Sequence, residues 1–456
     1  MSLSFFARVF LTIIVVAVCA SDRVMADEEL TPLGVAQVDI TPEQPVRMYG
    51  YASRIKESAG VAGPLRAKAL AIGGNEGEGP AVLLCVDNGA VPTDIREEVF
   101  NRVTAKVPVK RERFMLANAH CHSGPNLKGM DSFSGEQLEH MKTYASLVVD
   151  RLEAVVLEAL AARRPGRLAW GQGTVGFAAN RRVLKDGKWA GFGAVPDGPT
   201  DHSLPVLRVT DEAGKLMGVV VNYACHCTTL RGDFPQIHGD WAGCAQEYIE
   251  ADHPGALALI SIGCGADSDP APHGTVELCQ QHGRALADEV KRVLQTPLRP
   301  VEPRLTARTV TLDFPYSPPP SLETLKESAK QSWAIESMVK RIARGDVLAK
   351  SEPYEIAVWA FGDDLAMIFL NDEVVVDYAL RLKRELDGSR LWITAYTNDV
   401  SHYIASDRLL KEGGYEVRNS LSTAVTFGRP EELRPSMEER IIGAVRELVP
   451  QEFHRQ

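Results

Sequence analysis

The chain predicts a mixed α/β fold, a β-sheet core flanked by helices in a single catalytic domain with its site at strand C-terminal ends. Two observations predict the fold. Short apolar runs of strand length recur along the sequence, most of them ended by Gly, Asp or a histidine segment. Between them lie longer stretches with apolar residues at helical spacing, bounded by capping or Pro-Gly signals.

In order, Leu33–Pro42 reads as a strand ending in a turn, and Met48–Ala52 as a Gly-containing loop. Lys68–Ile72 and Ala81–Val86 are strands around the turn at Gly73–Gly79, with Asp87 ending the second. Pro92–Glu97 opens a helix, with Asp94 and Glu97 at capping-box spacing. Arg113–Ala117 is a buried strand, and Glu136–Arg163 a long amphipathic helix stopped by Pro165-Gly166. Gly171–Gly176 matches the dinucleotide fingerprint by letter but leads into Phe177–Arg181 and a hairpin turn at Lys185–Lys188. Without a following helix it reads as a turn.

Pro205–Thr210 and Gly218–Ala224 are strands around Asp211–Gly214, the second ending at Cys225-His226-Cys227. His238-Gly239-Asp240 leads into a helix to about Asp252. Ala256–Ile262 is a buried strand ending in Gly263–Pro270, followed by a helix over 276–295. From Arg304 come a strand, a Pro-rich turn at Pro318–Pro320 and a helix to about Arg344. Ile356–Phe361 and Leu365–Leu370 form a hairpin around Gly362–Asp364, and Glu373 starts the next helix. Leu391–Tyr396 is the last clear strand and Pro430–Val449 a terminal helix. No repeat, low-complexity tract or boundary-like linker interrupts this order.

Residues 1–26 read as a signal peptide. Arg8 precedes the apolar run Val9–Ala20, and Val24-Met25-Ala26 or Val18-Cys19-Ala20 suits cleavage. The expected location is therefore secreted or periplasmic, a retained anchor being the alternative reading. Residues 27–456 are expected to form the one catalytic domain. The formal charge of -10 argues against nucleic acid as a partner and gives no attraction to anionic membranes. There are eight Cys, one of them Cys19 in the leader. The odd remainder leaves at least one thiol unpaired in an oxidising compartment.

The segment Asn118-Ala119-His120-Cys121-His122-Ser123-Gly124-Pro125 stands out. Two histidines two apart on extended chain share a face. They make half a metal site or a hydrogen-bonded pair with no metal. His120, His226, Ser268 and Glu373 each follow the C-terminal end of an apolar strand, and Tyr403 lies a few residues past another. Ligands of α/β sheets bind outside those ends. HExxH, GxSxG and Walker motifs are absent, so any chemistry comes from scattered residues. Asp87, Asp240 and Asp267 are candidate carboxylates for orienting ligand histidines, or plain turn residues.

Taken together, these segments resemble the neutral/alkaline, non-lysosomal ceramidase family. Gly34–Pro42 with Met48–Tyr51, His120-Cys121-His122-Ser123-Gly124-Pro125, Asn180-Arg181, Asp201–Leu207, Asn222–His226, Asn398–Ile404 and Tyr415-Glu416 run collinear with the family's segments. The resemblance implies an amide-cleaving, ceramidase-like hydrolase of N-acylsphingosine or a related N-acyl lipid. It implies Zn²⁺ held by His120, His226, Glu373 and Tyr403, acting on the carbonyl and on water. Substrate contacts around the scissile amide would come from His122, Arg181 and Tyr415. The expected partner is a lipid or small-molecule substrate, with transient contact to a membrane surface and an undetermined oligomeric state. Where the family carries a catalytic serine in Gly-Asp-x-Ser-Pro-Asn, this chain has Gly265-Ala266-Asp267-Ser268-Asp269-Pro270. Aligned on Gly265, Ser268 takes that position; aligned on Pro270, Asp269 does. The family's C-terminal immunoglobulin-like domain is not expected. Trp359, Trp392 and residues 318–345 are candidates for a lipid groove or for core. A different amide, ester or sugar-linked substrate is an alternative. So are an inactive exported binding protein of this fold, and a metal-free serine hydrolase using Ser268 or Ser123 with His122.

Overall fold

A computed structural model describes residues 30–315, 321–328, 339–340, 342–345, 350–421 and 436–455. The leader, the Pro318–Pro320 turn and residues 430–435, where the terminal helix is expected to begin, therefore lie outside the described residues; the described helix runs Met437–Leu448. The described strands, in chain order, are β1 (Thr31–Asp39), β2 (Arg66–Ile72), β3 (Ala81–Val86), β4 (Phe114–Asn118), β5 (Arg164–Thr174), β6 (Ala178–Lys185), β7 (Lys188–Val195), β8 (Ser203–Asp211) and β9 (Leu216–Tyr223). They continue with β10 (Leu257–Ile262), β11 (Ser268–Pro270), β12 (Arg299–Pro300), β13 (Leu305–Pro315), β14 (Ser351–Phe361), β15 (Leu365–Asn371), β16 (Glu373–Val374), β17 (Leu391–Thr397) and β18 (Tyr403–Ile404).

Most of them form one mixed sheet in the order β10-β9-β8-β5-β1-β2-β3-β4-β17-β15-β14-β13, with β12 beside β5. Side chains alternate across each strand. Leu70, Leu83, Met115, Leu207, Val220, Leu259, Met367 and Trp392 share one apolar cluster. Their neighbours Ala69, Ala71, Leu84 and Leu116 pack in another with the helix α2 (Gly135–Ala161). The sheet curls so that β10 lies against β4 and β17, and its inner face packs on itself. Helices cover the outer face: α2 over β1 and β2, α3 (Asp240–Asp252) over β10, and α4 (Val276–Leu294) over β5 and β8. Trp359 and Trp392 are wholly buried in the inner layer, hence core rather than groove.

Three parallel pairs, β3/β4, β9/β10 and β15/β17, carry the site loops. β4 and β17 are antiparallel, but they pair only at Ala117 and Thr397. Both residues lie at C-terminal ends, so two antiparallel strands deliver their following loops to one place. Inside the curl, Asn222 Nδ2 donates to Ile393 O at 3.0 Å, and Ser261 Oγ to Asn222 Oδ1 at 2.9 Å. This buried polar tie fixes β9 against β17, because leaving such groups unpaired costs about 1–3 kcal/mol each.

Three sequence expectations change. Gly171–Thr174 is strand, not turn: β5 runs through Thr174. A side chain at Gly171 would come within 2.6 Å of Leu298 Cδ2, so glycine here allows the chain leading out of α4 to approach closely. The helix at Thr93–Thr104 has Pro92 as N-cap with no side-chain cap. Asp94 instead bonds the neighbouring Ile95 N–H. Glu373 does not start a helix. It lies in β16, paired in parallel with Tyr403 of β18, and the helix begins at Val376. Among the described residues no helix is long and apolar enough to cross a membrane.

Candidate metal centre

Val86 and Asn118 end β3 and β4, and the chain turns sharply after each. His120 has φ 51, a left-handed conformation. The two histidines thus meet through a kink rather than through strand alternation. Their Nε2 atoms lie 3.1 Å apart. The loop after β9 joins this one: His122 N–H donates to Cys227 O at 3.2 Å, and Cys121 and Cys227 form a parallel bridge. That brings in His226. The Nε2 atoms of His120 and His226 are each 3.2 Å from the same oxygen, Glu373 Oε2. All four residues are buried.

The opposite ring nitrogens settle the tautomers. His120 Nδ1 is 2.9 Å from Gly89 O, and His226 Nδ1 is 2.8 Å from Gly265 O. A carbonyl accepts only, so each Nδ1 carries the proton and each Nε2 presents a lone pair. Two lone pairs and a carboxylate oxygen then face one another inside the protein. A cation satisfies such a set. The orienting groups are backbone carbonyls, not the carboxylates considered from sequence. Asp87 accepts from Gln246 Nε2 and Arg66 N–H, Asp240 from the N–H groups of Thr229, Leu230 and Trp241, and Asp267 from Val376 N–H.

His122 completes a three-imidazole cluster with His120 and His226, their donor atoms all within 4.8 Å of one another. Burial lowers the His122 pKa well below its usual value, and its histidine neighbours lower it further, so the ring is neutral. Tyr49 and Tyr51 stand edge-on to it, at 5.6 and 5.2 Å between ring centroids. A side chain at Gly50 would collide with the His122 ring, and one at Gly89 with Tyr49. Glycine is needed at both.

Arg181 spans the site. Its Nη2 donates to Tyr403 Oη at 3.2 Å and its Nη1 to Asp269 Oδ1 at 3.2 Å, while Nε donates to Glu416 at 3.0 Å. Its Nη1 also lies 3.4 Å from His226 Nε2. Burial opposes its charge, but Tyr403, Asp269 and Glu416 hold it firmly cationic. Burial, then Glu373, pushes the Tyr403 phenol well above its usual value. Its oxygen is therefore a neutral acceptor for Arg181 until a cation draws off the proton. Tyr415, half-buried, meets Tyr403 edge-on at 5.6 Å.

Of the expected ligands, His120, His226 and Glu373 are in direct contact. Tyr403 joins them through Arg181 and through its backbone pairing with Glu373. Ser268 is fully buried, and its Oγ has no partner. The neighbouring Asp269 carboxylate meets Arg181, and also Thr228 Oγ1 at 3.1 Å. Sequence reasoning missed Arg54, which lies in a loop without periodic pattern. Its guanidinium donates to the carbonyls of Tyr49, His122, Arg231, Gly232 and Phe234. It staples the His122 loop to its neighbours.

Fold and site together define an α/β protein with a buried imidazole cluster that could hold a metal ion at the carboxyl edge of its sheet. Residues 32–261, half of the chain, match the family model described as neutral/alkaline non-lysosomal ceramidase, N-terminal, and the chain belongs to that family. The neutral ceramidase of Pseudomonas aeruginosa is 29% identical over 260 residues, which is 55% of this chain and 38% of that protein. The alignment thus spans well under half of the relative. A crystal structure of neutral ceramidase from the same organism superposes with a TM-score of 0.70 at 19% identity, covering 94% of this chain and 76% of that one. A ceramidase complexed with C2 gives the same score and identity, covering 94% and 77%. The shared fold follows from these superpositions.

Proposed function

We propose that this chain is an exported zinc-dependent amidohydrolase, ceramidase-like in cleaving the linear amide of an N-acylsphingosine or related N-acyl lipid. The observation that carries the reading is the convergence of His120 Nε2, His226 Nε2 and Glu373 Oε2, with both Nδ1 protons tied to carbonyls. Imidazole and carboxylate donors suit zinc, with Tyr403 as the fourth ligand of the family pattern. Bound there, the ion would polarise the scissile carbonyl and acidify water.

The chain's own groups do the rest. Arg181, held in place by Glu416 and Asp269, offers fixed positive charge to an oxygen gaining negative charge. His122 stays neutral beside the cluster, because burial lowers its pKa, and can contact the scissile amide as a neutral imidazole. Tyr415 sits where it can contact substrate beside Tyr403. Export rests on the apolar run Val9–Ala20 behind Arg8. The test is hydrolysis of a fluorogenic N-acylsphingosine by purified protein with measured zinc content. Full turnover after complete metal removal would overturn the reading.

A second reading keeps the centre but changes the substrate to another amide, an ester or a sugar-linked compound. The Asp269 carboxylate, facing Arg181 and Thr228 in the segment where the family has its serine, favours it. Ester and glycoside analogues in the same assay separate the two.

A further inference from the structure

A cavity of about 200 Å³ opens beside Arg181 and Asp269, with Phe192, Arg231, Ala271 and His273 among its walls. Its charges do not cancel. The Asp269 carboxylate is matched by Arg181 and bonded by Thr228. The second carboxylate on Arg181, Glu416, is also shared with Arg182. Arg231 has no such partner: among the described residues its one side-chain hydrogen-bond contact is with His273 Nε2, at 3.4 Å from Nη1. Among the described residues no carboxylate lies within ion-pair distance of it. Its backbone carbonyl is fixed by Arg54 at 2.7 Å, so the residue is anchored while its guanidinium remains available. A planar guanidinium with free N–H groups is matched best by a carboxylate, which it can bind through two parallel bonds.

Another wall of the same cavity is apolar. Phe192 is 51% exposed, packs edge-on against Tyr415 at 5.2 Å and stacks on the Arg181 guanidinium at 5.2 Å. Val183 and Leu184 of β6 are also exposed. The cavity therefore joins an apolar wall and an unmatched cation at Arg181, the residue that reaches the histidine cluster at His226 Nε2.

From this we infer that the preferred substrate is an amide with an apolar acyl part and a carboxylate near the scissile bond, an N-acyl amino acid in chemical class, with Arg231 selecting the acid. This rests on the amidohydrolase reading above and names its substrate. Hydrolysis adds water across the C–N bond. The acyl group leaves as a fatty acid, and nitrogen takes a proton to leave as the free amino acid. No other reactant is required.

The test compares three substrates of equal acyl length on the zinc-loaded full chain: an N-acyl amino acid, its neutral carboxamide, and N-acylsphingosine. The expected result is at least a tenfold preference in kcat/KM for the acid over the carboxamide in the natural chain. That ratio should fall at least tenfold in Arg231→Ala and be partly kept in Arg231→Lys. Equal cleavage of acid and carboxamide, or a ratio unmoved by Arg231→Ala, overturns the inference. The natural-chain ratio decides even where a variant fails to fold. Cleavage of N-acylsphingosine with no preference for acids defeats this inference alone. Cleavage of no amide by zinc-loaded protein defeats the functional reading beneath it.

Discussion

Glu373 Oε2 is equidistant, at 3.2 Å, from the Nε2 atoms of His120 and His226. The Gly89 and Gly265 carbonyls accept from the two Nδ1–H groups, which turns both Nε2 atoms toward the carboxylate. The purified chain is therefore expected to bind about one zinc ion. Zinc at a thousandfold excess over Kd should raise its stability by about 4 kcal/mol. His120→Ala and His226→Ala should each abolish that gain. Metal analysis and thermal melts with and without zinc check it, and an unchanged gain in both variants counts against the centre.

Tyr403 reaches the centre through the Arg181 guanidinium and through its backbone pairing with Glu373. Tyr403→Phe keeps the ring and removes only the oxygen that accepts from Arg181. A ligand role predicts zinc affinity weaker by roughly tenfold or more, with sharply reduced turnover. A merely packed tyrosine predicts a loss of about 1 kcal/mol of stability, with zinc affinity intact. Affinity and melting temperature measured on one sample decide between them.

Ser268 and Asp269 have opposite environments. The Ser268 hydroxyl is buried without a partner, so Ser268→Ala should change stability by no more than about 1 kcal/mol and retain most turnover. Asp269→Asn weakens the grip on Arg181 and should cost roughly tenfold or more in turnover. An acyl adduct trapped on Ser268 would reverse this assignment.

Arg54 is a structural staple. Arg54→Met strands five carbonyls, two of them in the Tyr49 and His122 segments, and should destabilise by about 3 kcal/mol or more. Arg54→Lys should recover little, since an ammonium cannot reproduce the planar fork. Urea denaturation measures both.

Asp267 supplies a pH dependence away from the ligands. Burial, only partly offset by its bond from Val376 N–H, raises its carboxyl to about 6. The folded value lies above the unfolded one, so its contribution to stability is full below about pH 4 and lost as pH rises through about 6. The stability of Asp267→Asn relative to the natural chain should shift in the variant's favour by roughly 2–3 kcal/mol between about pH 4 and about pH 7. A constant difference across that range would show that the carboxyl titrates normally.

Much of the fold was legible because burial writes itself into sequence. β3, β4, β10 and β15 are wholly apolar or nearly so, and each appears as a short run ended by a polar residue or, after β10, by glycine. The hairpin at Asp186-Gly187 was legible for another reason: both residues have positive φ, as that turn requires. β5 was misread at Gly171–Thr174 because strand glycines selected for close packing look the same as turn glycines. Glu373 was misread as a helix start because a two-residue strand leaves no periodicity.

Local reading of the chain sufficed for most strands of the large sheet, the order of the loops and which chemically capable residues follow which strand ends. Those properties depend on local spacing and on apolar burial, which each segment expresses alone. Long-range packing decided that β4 and β17 meet at their C-terminal ends, that backbone carbonyls orient His120 and His226, and that Asp269 faces Arg181 while the Ser268 hydroxyl is left without a partner. It also decided that Arg231 stands unmatched beside Phe192. Each of these is a contact between residues far apart in the chain, set by how the sheet curls. No local pattern encodes a distance of that kind.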